Sequence, residues 1–241
     1  MRAMLLAAGL GTRMRPLTDQ VPKPLLPVAG RPMILYPLAF LRRHGVTEVV
    51  INTHLYAEQW RQTLGDGSAL GMQITYSPEP VLLDTGGGIK NAEKFFRGET
   101  FIVLNADTLI ELDLAAVLDA HRRFRPLATL VLRQVPNPEE FSAVMVDGEG
   151  RIRRLRGQPE EVSVAGMQFF TYTGLQVLEP EALKTLPSGR PACLIQDGYL
   201  PLLRSGREIR AFITRGYWKS LDRAARIQEA EADLKSGLTL L

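Results

Sequence analysis

At 241 residues, with 45% hydrophobic and 23% charged residues, the chain has the composition of a globular domain large enough to bury a sizeable core. A net charge of +3, from 29 basic and 26 acidic residues, is too mild to argue for nucleic acid, and no apolar run nears the roughly 20 residues that cross a bilayer. The single cysteine, Cys193, allows no internal disulfide, no His/Cys cluster suggests zinc, and the first residues enter a motif directly with no room for a cleaved leader, so a cytoplasmic protein is expected. Nothing in the sequence fixes an oligomeric state.

In chain order, residues 1–6 are apolar without alternation, the pattern of a strand buried on both faces of a parallel sheet. A loop with Gly9 and Gly11 follows. Residues 32–44 predict a helix, with Pro32 in its first turn, Ile34, Leu35, Leu38 and Leu41 on one face, and Gly45 as the stop. The alternation continues with a strand at 48–52, a helix at 57–64, a strand at 72–76, a helix at 87–96 and a strand at 101–104. A helix after Asp113 runs to 124, with Leu114, Val117, Leu118 and His121 on one face, and a strand covers 127–133. Then the pattern changes: 143–146 and 151–155 around a turn at 147–150 predict an antiparallel hairpin, followed by a strand at 166–171. A helix at 194–204, a strand at 208–213 and a helix at 223–235 complete the chain, with 237–241 expected to fray. This order predicts an α/β fold: a mainly parallel sheet with helices on both faces and an antiparallel segment in the second half. Ligands in such sheets sit at the carboxyl ends of the strands.

The loop after the first strand has the layout of a phosphate cradle. Gly9 and Gly11 allow positive φ and close approach of a ligand to the main chain, and Arg13, Arg15 and Lys23 supply full charges. The stretch lacks the Gly-Lys-Ser/Thr ending of a P-loop and the third glycine of a dinucleotide fingerprint. Ala8-Gly9-x-Gly11-Thr12-Arg13-Met14-Arg15-Pro16-Leu17-Thr18, followed by Pro22-Lys23-Pro24-Leu25-x-Pro27-Val28, resembles the signature of the sugar-1-phosphate nucleotidyltransferases. The resemblance implies a Rossmann-like nucleotide-diphospho-sugar transferase fold as a single domain over 1–241, with a nucleotide-binding half at 1–133 and a sugar-binding and C-terminal half at 134–241. It also implies an Mg²⁺-dependent reaction of a nucleoside triphosphate with a sugar 1-phosphate, giving pyrophosphate and an NDP-sugar for cell-wall or polysaccharide synthesis.

Carried over residue by residue, the resemblance implies that Arg13, Lys23 and Asp107 are catalytic, and that Ala7, Ala8, Gly9, Gly11, Thr12 and Arg13 hold the nucleotide. Glu79, Thr85, Gly86 and Gly87 are implied at the base, and Lys23, Asn105, Gly174 and Arg156 at the sugar phosphate. Asp107 follows an apolar strand, where an aspartate can also cap the next helix; in the family the matching residue binds Mg²⁺. Three consecutive glycines, Gly86 to Gly88, can likewise serve only to relieve crowding. The motif is most similar to N-acetylmuramate-1-phosphate uridylyltransferases, and shares a part with mannose- and heptose-1-phosphate guanylyltransferases, so the base stays open. His54, His121 and Cys193 read as structural.

Two departures stand out. Tyr217-Trp218-Lys219-Ser220-Leu221-Asp222 places Ser220 where the family has its second metal-binding aspartate, and Asp222, two residues on, is expected to take over that role. Gly157-Gln158-Pro159 replaces the family's Glu-Lys-Pro, removing a lysine that Arg154 or Arg156 is expected to replace. Two alternatives stay open: a regulatory subunit that binds a nucleotide sugar with weakened catalysis, which Ser220 suggests, or a cytidylyltransferase for a phosphorylated alcohol or amine such as phosphocholine, since related short enzymes share the N-terminal motif.

Overall fold

A computed structural model describes residues 1–135 and 143–240. Its strands are β1 (Arg2–Leu6), β2 (Pro27–Val28), β3 (Arg31–Pro32), β4 (Glu48–Thr53), β5 (Gln73–Pro78), β6 (Phe101–Asn105), β7 (Thr108–Glu111), β8 (Ala128–Arg133), β9 (Ala143–Val146), β10 (Ile152–Leu155), β11 (Gln168–Leu178), β12 (Ile209–Thr214) and β13 (Tyr217–Ser220). The α-helices are α1 (Leu35–Arg43), α2 (Ala57–Leu64), α3 (Asp84–Asn91), α4 (Leu114–Phe124), α5 (Leu200–Arg204) and α6 (Ala224–Lys235). Among the described residues no helix is long and apolar enough to cross a membrane.

The chain forms two compact units. The first comprises Met1–Leu82, Leu104–Glu111 and Gly216–Leu241. Here β1, β4 and β5 run parallel and side by side, with Leu6 opposite Asn52 and Asn52 opposite Ser77. Ala3, Met4 and Leu5 are fully buried, as their unbroken apolar run requires for a strand covered on both faces. A small antiparallel sheet joins β7 to β13, pairing Ser220 with Thr108 and Tyr217 with Glu111. A second cluster, Val28, Met33, Tyr36, Leu109, Leu221, Ala230 and Leu240, fastens this sheet to the neighbouring helices.

The second unit comprises Leu83–Val103 and Leu112–Arg215. The expected hairpin is present as β9 and β10, antiparallel to each other, and β11 pairs antiparallel with both β9 and β8. β12 lies parallel to β8. β11 is longer than expected because its pairing with β8 passes through an irregularity between Tyr172 and Gln176, where Gly174 takes φ 92°. A glycine with positive φ lets the strand absorb the kink and continue.

Several expectations need correction. Pro32 does not open a helix: it pairs with Pro27 in the small β2–β3 ladder, and Pro37 occupies the first turn of α1, where a missing N–H costs nothing. The helix at the glycine cluster begins at Asp84, so Gly86, Gly87 and Gly88 lie inside it. The helix expected over 194–204 begins as a wide π turn, Leu194–Tyr199, before α5; Pro201 has no N–H to continue a regular ladder back into it. The chain end does not fray through Leu240, which is 2% exposed and packs with Leu238 in the second core cluster; Leu241 lies outside the described residues.

Candidate active site

The loop after β1 is held in one shape by three fastenings inside the first unit. Gly11 adopts φ 62°, ψ 28° at the start of the turn Thr12–Met14. The Thr18 hydroxyl donates to the Gly11 carbonyl at 2.9 Å, and a Cβ on Gly11 would lie 2.9 Å from Thr18 Cγ2 and 3.0 Å from Lys23 Cβ. Tyr56 Oη donates to the Asp19 carbonyl at 2.7 Å, and Gln59 Nε2 to the Gln20 carbonyl at 2.8 Å, so the start of α2 anchors the far end of the loop. Gly9 does not take positive φ and has open space around it, so only Gly11 needs the left-handed region.

Two charge pairs cross this loop. Lys23 Nζ contacts Asp107 Oδ2, with both side chains largely buried. Arg13 donates to Asp222 Oδ2 at 2.7 Å; Arg13 is 72% exposed and Asp222 18%. The carboxylates are brought to adjoining chain ends by the sheet of β7 and β13. The Leu221 N–H donates to the Asp107 carbonyl at 2.8 Å, and the Ala106 N–H donates to the Leu6 carbonyl at 3.1 Å. Asp107 therefore sits in the turn between β6 and β7 beside the end of β1. It caps no helix: the cap of α4 is Asp113, whose carboxylate accepts from the N–H groups of Ala115 and Ala116.

Asp107 and Asp222 offer hard carboxylate oxygens, the donor type that a divalent cation holding phosphates takes from a protein, usually one or two at a time. Among the described residues no group of three or more His, Cys, Asp or Glu side chains forms a protein-only metal cage. Ser220 is held by its β-ladder pairing with Thr108, two residues before the carboxylate that Arg13 engages.

Glu79 lies just after β5, at the carboxyl end of the parallel strands. It is 1% exposed, and its Oε1 accepts from Asn52 Nδ2 at 2.7 Å. Asn52 Oδ1 in turn accepts from the Ala7 N–H at 2.8 Å, so that N–H is already committed. His54 Nδ1 lies 2.7 Å from the Glu79 carbonyl. A carbonyl only accepts, so that nitrogen carries the proton. Asn52 escaped sequence reasoning; its signal is a polar side chain closing the apolar run Val49-Val50-Ile51.

In the second unit the glycines of α3 have a packing role. The N–H groups of Gly86 and Gly87 both donate to the Ala192 carbonyl, at 2.8 and 3.0 Å, and the Leu194 N–H donates to Thr85 Oγ1 at 3.0 Å. A Cβ on Gly86 would lie 2.9 Å from the Leu194 nitrogen, and one on Gly87 2.9 Å from the Arg190 carbonyl oxygen. Arg154 is tied to the Gly157 carbonyl through Nε at 2.8 Å, and Arg156 takes φ 51° beside it. His121 is 3% exposed, with Nδ1 at 2.7 Å from Thr129 Oγ1 and Nε2 at 2.9 Å from Glu179 Oε1, a structural setting.

The comparisons with known proteins agree with the motif. A family model described as nucleotidyl transferase matches residues 2–236. The chain is 37% identical over 236 residues to an N-acetylmuramate alpha-1-phosphate uridylyltransferase of Neisseria meningitidis, covering 96% of this chain and 97% of that one. It is 34% identical over 237 residues to a mannose-1-phosphate guanylyltransferase of Mycobacterium tuberculosis, covering 98% of this chain and 65% of the relative's length. The crystal structure of HddC from Yersinia pseudotuberculosis complexed with GMP-PN superposes with a TM-score of 0.80 at 21% identity, over 97% of this chain and 99% of that one. The likeness bears out the mixed α/β fold with a central, mostly parallel sheet.

Proposed function

Because the chain belongs to the nucleotidyl transferase family, we propose that it joins a nucleoside triphosphate to a sugar 1-phosphate, releasing pyrophosphate and forming an NDP-sugar. The observation that carries this reading is the interlocked set Arg13–Asp222 and Lys23–Asp107 around a fastened glycine loop. The names of the relatives, which act on sugar 1-phosphates, support the same acceptor class.

An oxygen of the sugar phosphate attacks the α-phosphorus, a new P–O bond forms, and the α–β phosphoanhydride breaks with its electron pair leaving on pyrophosphate. The attacking group is already ionised at neutral pH, so no protein nucleophile is needed, and the work is positioning and charge neutralisation. Lys23 presents three donors from a largely buried position, suited to the α-phosphate and the incoming phosphate together. Arg13, on an exposed side chain, can leave Asp222 for the β and γ phosphates. Backbone groups at Ala8, Gly9, Gly11 and Thr12 border the same loop.

Asp107 and Asp222 would hold Mg²⁺, which would supply positive charge against the phosphates. On the acceptor side we assign Asn105, Gly174 and Arg156. For the base, Thr85, Gly86 and Gly87 stay candidates through their side chain and carbonyl groups. We assign the reaction to the cytoplasm, and its product class is a precursor of cell-wall or polysaccharide synthesis. Ser220, in place of the family's carboxylate, favours a second reading as a regulatory subunit that binds nucleotide sugars.

Incubating the protein with UTP, GTP, CTP or dTTP against a panel of sugar 1-phosphates, with pyrophosphate release as the readout, tests the proposal. One pairing is expected to release pyrophosphate in step with an NDP-sugar. Nucleotide binding with no release from any pairing would favour the regulatory reading.

A further inference from the structure

The carboxyl ends of β1, β4 and β5 meet in one register: Leu6 faces Asn52, and Asn52 faces Ser77. Beyond that point the parallel ladder between β1 and β4 stops. The chain leaves β1 at Ala7 to start the phosphate loop, and the Asn52 side chain accepts the Ala7 N–H at 2.8 Å. An asparagine amide can present either its oxygen or its nitrogen, and a flipped amide would face the Ala7 N–H with another donor. Glu79 decides between them. It follows β5 directly, is fixed there by its own N–H donating to the Thr53 carbonyl at 2.7 Å, and accepts from Asn52 Nδ2 at 2.7 Å. With the amide nitrogen donating to Glu79, the Asn52 oxygen points at Ala7 and accepts its N–H. Asn52 is 3% exposed and Glu79 1%, so water does not compete for either bond.

We infer that Asn52 and Glu79 are positioning residues for the triphosphate: the buried carboxylate fixes the amide, the amide fixes the Ala7 N–H, and together they set the direction in which the loop 7–15 leaves the sheet. The inference rests on reading that loop as the triphosphate cradle. It gives Glu79 a task unrelated to which base is bound, and it makes the effect of breaking the chain of bonds the same for every nucleotide and for a bare polyphosphate.

The test uses the full-length protein and inorganic tripolyphosphate, which has no base to read, beside UTP and GTP. Asn52→Leu, which loses both the bond from the Ala7 N–H and the bond to Glu79, is expected to weaken all three by a similar factor, roughly tenfold or more. Asn52→Asp sets two carboxylates against each other and is expected to be worse. Asn52→Asp combined with Glu79→Gln restores a donor facing an acceptor, because the glutamine amide introduced by the second change can donate to the new carboxylate. The double variant is expected to recover most of the binding and of the thermal stability. The base preference of Glu79→Gln is expected to match that of the wild type. The inference is overturned if Asn52→Leu binds tripolyphosphate as the wild type does, if the double variant is no better than Asn52→Asp, or if Glu79→Gln changes the preferred base. A wild-type protein that binds neither tripolyphosphate nor any nucleotide would overturn the proposed function itself, and the inference with it.

Discussion

Arg13 and Asp222 are separated by 209 positions in the chain and by 2.7 Å in the fold. The second pair, Lys23 with Asp107, spans 84 positions and lies at the end of the same loop. Each cation expected on phosphate thus rests on a carboxylate expected on metal. Each partly buried charge is thereby paired, the condition under which such charges are tolerated.

If Asp222 supplies the carboxylate that Ser220 lacks, the two positions should respond in opposite ways. Asp222→Asn is expected to lower turnover at least tenfold, about 1.4 kcal/mol of barrier, and to raise the divalent-cation concentration needed for half-maximal rate. Ser220→Ala should leave turnover within about threefold, since a hydroxyl is a poor ligand and the β13–β7 ladder needs only its backbone. A larger loss in Ser220→Ala than in Asp222→Asn would reverse the assignment.

Lys23→Ala should remove about 3 kcal/mol of transition-state stabilisation, roughly a hundredfold in rate, on the scale of losing one preorganised donor. Steady-state kinetics and a thermal melt of the same sample separate this from unfolding. Wild-type turnover in the variant would take Lys23 out of the mechanism.

The two loop glycines should differ in what they cost the fold. Gly11→Ala forces a side chain into φ 62° and against Thr18 and Lys23, and is expected to destabilise by about 1–3 kcal/mol in denaturant titrations. Gly9→Ala meets nothing within 4 Å and should change stability by less than about 0.5 kcal/mol. Equal losses would mean that the left-handed turn is not what Gly11 is for.

Much of this architecture could be read locally, because its signals are local. The helix after Asp113 begins at Leu114 as expected, since the capping aspartate and the spacing of Leu114, Val117 and His121 lie within three turns. The loop glycines and cations were legible through a long, fixed-spacing motif. What stayed hidden depends on partners far away in sequence. Pro32 carries the same local signal as a helix-opening proline, and only pairing with Pro27 makes it a strand. The β7–β13 sheet, which brings Asp222 toward Asp107, joins segments about a hundred residues apart. The Ala7–Asn52–Glu79 chain of bonds requires the register of three strands, which no single stretch encodes. The bonds from the Gly86 and Gly87 N–H groups to the Ala192 carbonyl were equally hidden, because that carbonyl lies about a hundred residues further along the chain.

The C-terminal helix gives a pH signature. Asp233 is held below the usual carboxylate range, chiefly by its hydrogen bond to Lys219 at 2.7 Å and then by the Tyr217 hydroxyl at 2.7 Å. A depressed folded-state pKa contributes stability above the unfolded value, near 3.9, that is lost as pH falls through the folded value. Asp233 is substantially exposed, so the contribution is at most about 1 kcal/mol. Asp233→Asn should lower stability at pH 7 by that order and lessen its decline below about pH 4. An unchanged acid limb would show that the ion pair contributes nothing.

In the proposed function the cradle of Arg13, Lys23 and Asp107 transfers a nucleotidyl group and does not merely hold a nucleotide. The most direct measurement supplies the preferred nucleoside triphosphate labelled at the α-phosphorus together with a sugar 1-phosphate, and follows the label by chromatography. The label is expected to pass into the NDP-sugar, one pyrophosphate appearing for each sugar nucleotide, and Lys23→Ala to suppress both. Label that stays in bound, unreacted triphosphate with every acceptor, while affinity for the nucleotide is intact, would contradict the proposed function.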